Sequence, residues 1–210
     1  MTVISLVNQK GGCGKSTTSV HLAEYLRRAN KNVVLVDADG QQSSSKWAST
    51  IATPITYTIM SDSDSILDKI PTLKNDYLIL DGPANLSEVT RAILLRTDLA
   101  IIPCQPTRLD LNSAMDSVKL ILQAQSVRGG LPKAAFFLNR AVPRTMLKEE
   151  AIATLKSISV IPLLQTVIHQ KQAIADSSGQ RTTVWGLNSK AAQDSAAEYE
   201  ALFAEVLSYV

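Results

Sequence analysis

The apolar residues of this chain fall into short, nearly unbroken runs: "TVISLV" over 2–7, "NVVLVD" over 32–37, "YLILD" over 77–81, "LAIIPC" over 99–104 and "KAAFFLN" over 133–139. A strand with one wet face alternates apolar and polar residues, whereas a continuous run is what a strand covered on both faces requires. Between these runs apolar residues recur at three- and four-residue spacing, which predicts helices over 15–29, 86–97 and 111–126. Strand and helix alternate, and that order predicts an α/β fold: a doubly wound, mostly parallel sheet with helices on both faces.

The stretch over 42–76, with "QQSSSKW" and "SDSDS", reads as loop and short elements, and no internal repeat or long low-complexity tract interrupts the chain. A single domain over 1–210 accounts for the pattern. The last segment, 188–210, places Ala192, Ala196, Tyr199, Leu202, Val206 and Val210 at helical spacing, predicting an amphipathic helix packed on the body. Its polar face offers Asp194, Glu198, Glu200 and Glu205, which anionic lipid would repel, so no membrane anchor is expected there.

Composition narrows the picture less than charge distribution does. A hydrophobic share of 45%, a charged share of 19% and a formal net charge of +2 are ordinary for a globular protein and commit it to no partner. Between 126 and 190, however, nine basic side chains stand against three acidic ones, and after Lys190 only acids occur. Arg140, Arg144, Lys148, Lys171, Arg181 and Lys190 are therefore candidate contacts for a polyanion such as DNA. Cys13 and Cys104 are far apart and belong to no Cys/His cluster, which suggests neither a disulfide framework nor a zinc site and fits a reducing cytoplasm. The N-terminal run lacks a basic segment before it and a cleavage site after it, and no stretch approaches the roughly 18 uninterrupted apolar residues of a membrane span.

The polar residues with chemical potential sit where the strand runs end. "NQKGGCGKST" over 8–17 follows the first run and opens a helix. In such a loop Gly11, Gly12 and Gly14, with the small Cys13 between them, let backbone N–H groups turn inward around phosphate oxygens. Lys15 reaches the β- and γ-phosphates, and the Ser16 hydroxyl is placed for Mg²⁺. "LVDADGQ" brings Asp37 and Asp39 to the same edge, where a carboxylate can orient an attacking water. "YLILDGPA" adds Asp81 for the Mg²⁺ shell, with Gly82 read as freedom for a switch segment that senses the γ-phosphate. Nucleotide binding alone asks for one lysine in the loop, and Lys10 is a second.

"KGGCGKST", "DADGQ" and "DGPA", in that order, resemble the deviant Walker A group of ATPases that includes ParA and MinD, over nearly the whole chain. The resemblance implies that Lys10 reaches across an ATP-dependent homodimer to the phosphates bound by the other subunit. It also implies that Lys15 binds phosphate, Ser16 ligates Mg²⁺, Thr17 touches the α-phosphate, Asp39 positions the hydrolytic water and Asp81 holds the metal through water. Asn139 in "FFLNR" is similar to the group's adenine-contacting position. One departure is Gly40, where the group usually has Pro, which softens the switch loop.

Within the group, the chain looks most like the short ParA partition proteins, because its first strand begins at residue 2 and leaves no room for an N-terminal DNA-reading domain. Its acidic end is unlike the basic membrane helix of MinD, and Cys104 alone cannot bridge an iron–sulfur cluster as in nitrogenase iron proteins. The resemblance thus implies an ATP hydrolase, cytoplasmic and nucleoid-associated, that binds DNA non-specifically and answers to an adaptor of ParB type while segregating plasmid or chromosomal DNA. A positioning ATPase for a protein cargo such as a bacterial microcompartment, and a small-molecule P-loop ligase or kinase, are the two alternatives.

Overall fold

A computed structural model describes residues 1–85 and 87–210, without the side chains of Arg108 and Leu109. Its seven strands are β1 (Thr2–Leu6), β2 (Val33–Asp37), β3 (Tyr57–Ile59), β4 (Tyr77–Asp81), β5 (Leu99–Cys104), β6 (Lys133–Ala141) and β7 (Leu163–His169). They form one all-parallel sheet in the order β3-β2-β4-β1-β5-β6-β7. Among the described residues the α-helices are α1 (Lys15–Arg28), α2 (Ser43–Thr50), α3 (Ser63–Lys69), α4 (Glu88–Arg96), α5 (Arg108–Val127), α6 (Met146–Ser157), α7 (Gln172–Gly179) and α8 (Lys190–Leu207). The expected start of the fourth helix at residue 86 lies outside the described residues.

The unbroken apolar runs have the expected cause. Successive residues of these five strands enter opposite cores: Phe136 joins Val34, Leu78, Leu80 and Ile102 on one face, while Phe137 joins Ile4, Leu6, Leu35 and Ile101 on the other. Residues of α3, α4, α5 and α6 complete the first core, and residues of α1, α2 and α8 complete the second. The region 42–76 holds α2, β3 and α3, elements of eight, three and seven residues, too short for a clear period in the sequence.

Most helices begin on a side chain that accepts a backbone N–H: Asp62 for α3, Ser87 for α4, Thr107 for α5, Thr145 for α6 and Ser189 for α8. Helix α1 is different. Its cap is Gly14, in the left-handed region with φ 101°, and no side chain closes it, so its N-terminal N–H groups remain for a ligand.

Helix α8 packs as expected through Ala192, Tyr199, Leu202 and Val206, with Ser195 and Phe203 also buried. Ala196 is only partly buried, and Val210 lies past the helix end and is 47% exposed. Of its acidic residues Asp194 and Glu200 are exposed, whereas Glu198 and Glu205 are partly buried against the sheet. Strand β7 is a sheet edge, and Glu205 accepts the backbone N–H groups of Gln165 and Thr166 at 2.7 and 3.0 Å, while Glu198 accepts that of His169 at 3.0 Å. Carboxylates thus do for this edge what a neighbouring strand would do. Glu200 accepts from Trp185 Nε1 at 2.9 Å, and Asp194 pairs with Lys190 at 3.0 Å. Among the described residues, no helix is long and apolar enough to cross a membrane.

Candidate functional site

The sheet order puts β1 between β4 and β5, so the loop after β1 opens at the carboxyl edge beside the ends of both neighbours. Side chains from those ends shape it. Asn139 Nδ2, at the end of β6, donates to the Cys13 carbonyl at 2.7 Å, and Gln105 Nε2, just after β5, donates to the Gly12 carbonyl at 2.8 Å. In a trans peptide the N–H points opposite to its carbonyl, so pulling these two carbonyls outward turns the N–H groups of Cys13 and Gly14 the other way. That is the geometry of an anion nest.

Glycine is required at Gly14 twice over: its φ is left-handed, and an added Cβ would lie 2.2 Å from Asn139 Nδ2. The amide of Asn139 is thereby committed to the loop, since its Oδ1 also accepts the Arg140 N–H at 3.0 Å. Asn139 still lines the adjoining cavity, but its side chain works here as a brace. Cys13 is fully buried, and burial pushes its thiol up against the opposing charge of Lys15, so it is a small filler. Gly82 serves close packing: its N–H donates to the Leu6 carbonyl at 3.1 Å, and a Cβ would sit 2.9 Å from that oxygen.

The two lysines differ in placement. Lys15 is buried in the loop, its Nζ donating to the Lys10 carbonyl at 3.2 Å. The Lys10 side chain is 32% exposed and turns away to α5, where its Nζ pairs with Asp110 Oδ2 at 2.5 Å. Asp110 is fully buried in the first turn of α5 and is also held by the Thr107 hydroxyl. The lysine is therefore partly exposed but held on α5 rather than free in solvent. The sequence did carry a signal for Asp110: "TRLD" places an acid three residues after a Thr cap, which starts the helix at 108 rather than 111.

The carboxylates at the strand ends divide into separate tasks. Asp37 and Asp81 are register partners on β2 and β4, and both are fully buried. Asp37 spends its two oxygens on the N–H groups of Asp39, at 3.1 Å, and Ser45, at 2.8 Å, fixing the loop and the start of α2. Asp39 remains half-buried with Oδ1 accepting the Gln41 N–H at 3.0 Å. Burial pushes the Asp81 carboxyl up to about 6, opposed by the nearby hydroxyls of Ser16 and Ser44 and by Lys15, and reinforced by Asp37. Ser19 Oγ donates to Asp81 Oδ1 at 3.3 Å, while Oδ2 is buried without a hydrogen-bond partner.

An orphaned buried carboxylate oxygen close to Ser16 fits a hydrated cation. Among the described residues no group of three or more His, Cys, Asp or Glu could cage a metal. Mg²⁺ suits that arrangement, because it keeps several waters and takes its remaining ligands from phosphates.

Beside Gly14 and Thr17 opens a cavity of about 230 Å³, walled by Asn139 and Arg140 from β6 and by His169 to Gln172 at the β7–α7 corner, with Tyr199 of α8 also lining it. Arg140 holds a left-handed φ of 53° on its rim. Burial drives the Tyr199 phenol far up, and the charge of Arg140 is among the groups opposing this. Of the six candidate DNA contacts, Arg140 and Lys171 line this cavity. Lys171 pairs with Glu198 at 2.5 Å and Lys148 donates to His169 Nε2 at 3.1 Å, whereas Arg144, Arg181 and Lys190 are exposed. Sequence reasoning missed Gln105, Asp110, His169 and Glu198, whose partners are distant in the chain.

Comparison with known proteins agrees with this geometry. The model of the CobQ/CobB/MinD/ParA nucleotide binding domain matches residues 4–184. The maintenance of carboxysome distribution protein A of Halothiobacillus neapolitanus is 27% identical over 89% of this chain and 88% of its own. The chromosome-partitioning ATPase Soj of Thermus thermophilus is 26% identical, covering 86% of each. Among solved structures, an ATP complex of McdA from Cyanothece superposes with a TM-score of 0.79 at 15% identity, over 99% of this chain and 96% of the other, a likeness of fold. With the family model spanning most of the sheet and the phosphate loop, the chain belongs to the CobQ/CobB/MinD/ParA nucleotide-binding domain family.

Proposed function

We propose that this chain is an ATPase whose nucleotide state controls dimerisation and, through it, DNA binding. The observation that carries the reading is the pair of lysines: Lys15 sits inside the phosphate loop, while Lys10 is parked at its mouth on Asp110, 2.5 Å away. A parked cation can exchange one anionic partner for another, and the phosphates bound by a second copy of this chain are such a partner. Lys15 and the free N–H groups at the start of α1 hold the phosphates, Thr17 touches the α-phosphate, and the nucleoside occupies the cavity beside Gly14. Ser16, Asp81 and Asp39 would hold Mg²⁺, which when bound neutralises phosphate charge. Asp39 orients the attacking water with the carboxylate oxygen that Gln41 does not occupy.

The same cycle serves two cargoes. Segregation of plasmid or chromosomal DNA through an adaptor of ParB type is supported by the Soj likeness, and positioning of a protein compartment by the carboxysome-distribution likeness. Capturing the adaptor with an ATP-locked dimer and identifying its cargo distinguishes them. Both readings place the protein on the nucleoid in the cytoplasm.

The test of the common cycle uses Asp39→Ala protein, expected to bind ATP without turning it over. Light scattering should show a dimer with ATP and a monomer with ADP, and duplex DNA should be retained only by the dimer. ATP binding without dimer or DNA retention would reject the reading and favour a small-molecule enzyme.

A further inference from the structure

The β7–α7 corner, which walls the nucleoside cavity, is held by one carboxylate from another element. Glu198 of α8 accepts the His169 backbone N–H on Oε2 at 3.0 Å and the His169 Nδ1–H on Oε1 at 2.9 Å, and it pairs with Lys171 Nζ at 2.5 Å. With Lys148 donating to His169 Nε2 at 3.1 Å, the ring is fixed in one orientation with its hydrogen on Nδ1, aimed at Glu198. The β6–β7 ladder also holds the corner, with Ala141 and His169 as register partners. The Gln170 N–H donates to the Ala141 carbonyl at 3.0 Å, but Lys171, the cap residue of α7, closes no side-chain cap. Both His169 and Lys171 line the cavity.

We propose that Glu198 is a positioning residue for the nucleoside side of the site: it sets the position of the β7–α7 corner, so affinity for the nucleoside depends on it and affinity for the phosphates does not. The inference rests on the reading of the cavity as the nucleoside subsite. It explains why an acid on the last helix, far from the phosphate loop in sequence, accepts two hydrogen bonds from one corner and is paired in charge with that corner's lysine. It also removes Lys148 and Lys171 from the cations free to meet DNA, since both are spent on this network.

The molecule supplies its own control. Glu205, two turns along the same helix, accepts two N–H groups of the same strand but does not line the cavity. The experiment measures affinity for Mg-ATP and for inorganic tripolyphosphate, which engages the phosphate loop alone, in wild type, Glu198→Ala, Glu198→Gln and Glu205→Ala. Glu198→Ala should weaken ATP binding by about tenfold, the loss expected for removing a charged acceptor from its donors. Its tripolyphosphate affinity should stay at the wild-type value. Glu198→Gln keeps the volume and removes the pairing with Lys171; it should weaken ATP alone, by less, and serves if the alanine variant does not fold. Glu205→Ala should lower Tm while leaving both affinities unchanged.

Equal losses for both ligands in the Glu198 variants, or the same ATP loss in Glu205→Ala, would show a merely structural role and overturn the proposal. Unchanged ATP affinity in both Glu198 variants would overturn it as well. If wild type binds tripolyphosphate as tightly as ATP, it is the nucleoside reading of the cavity that fails, and the proposal with it.

Discussion

His21 shows how much one buried side chain can decide. It lies on α1 within an aromatic surround, stacked on Tyr199 with 4.4 Å between ring centroids and edge-on to Trp47 at 5.4 Å. Its Nδ1 meets the Thr17 carbonyl at 2.7 Å, and its Nε2 accepts the Val184 N–H at 3.3 Å. Both nitrogens are used as in a neutral ring, and burial lowers its pKa from 6.5 to about 4, against the opposing Thr17 bond. An unfolded chain takes up that proton near 6.5 and the folded chain does not, so the contribution is fully present above 6.5 and is lost as pH falls towards 4. The loss expected by pH 4 is about 3 kcal/mol. Urea unfolding across this range checks it: His21→Gln should be less stable than wild type at pH 7 yet show a shallower decline below 6.5. At the same scale, Gly14→Ala should abolish nucleotide binding, read by titration with a fluorescent ATP analogue, because its Cβ displaces the Asn139 amide that shapes the loop.

At the scale of elements, two helices act at a distance through acids near or beyond their first turns. Helix α5 carries Asp110, and neutralising it as Asp110→Asn frees Lys10 from its charged partner. The expected result is dimerisation at lower protein concentration with ATP, read by light scattering, with no dimer gained in ADP. Helix α8 closes the β7 edge through Glu205. Glu205→Ala leaves two backbone N–H groups of the strand without their acceptor and should destabilise the fold by about 1–3 kcal/mol, measured by urea unfolding at pH 7.

The whole molecule decides which cations are exposed for the proposed DNA binding. Sequence-independent binding releases counterions, so affinity falls linearly with salt on a log–log scale in proportion to the phosphates neutralised. Arg144, Arg181 and Lys190 are exposed, whereas Lys148 and Lys171 are engaged inside the protein. In the ATP-bound Asp39→Ala background, Arg144→Ala and Arg181→Ala should each flatten the salt slope, while Lys171→Ala should leave it unchanged. A slope lost in Lys171→Ala alone would place the DNA surface at the β7–α7 corner instead.

Five of the seven described strands, the parallel α/β order and the phosphate loop were legible in the sequence because each is a local property, whereas β3, of three residues, and β7, on the sheet edge, form no unbroken apolar run. A strand covered on both faces must be apolar throughout, and a loop that cradles phosphate must have glycine where φ is positive, as at Gly12 and Gly14. Asp37, Asp39 and Asp81 were legible as strand-end acids, but not their division of labour. That division depends on which N–H groups lie within hydrogen-bond reach, and only the folded chain settles it. The pairing of Lys10 with Asp110 spans a hundred residues, and the acids of α8 meet a strand some thirty to forty residues away, so no period in the chain could reveal either. Sequence alone determined what this protein can bind, because a run of glycines and a lysine between a strand and a helix dictates its own local geometry. Only the tertiary structure decided where Lys10 rests, what braces the loop and what walls the cavity, because those are contacts between side chains that only the closed sheet brings together.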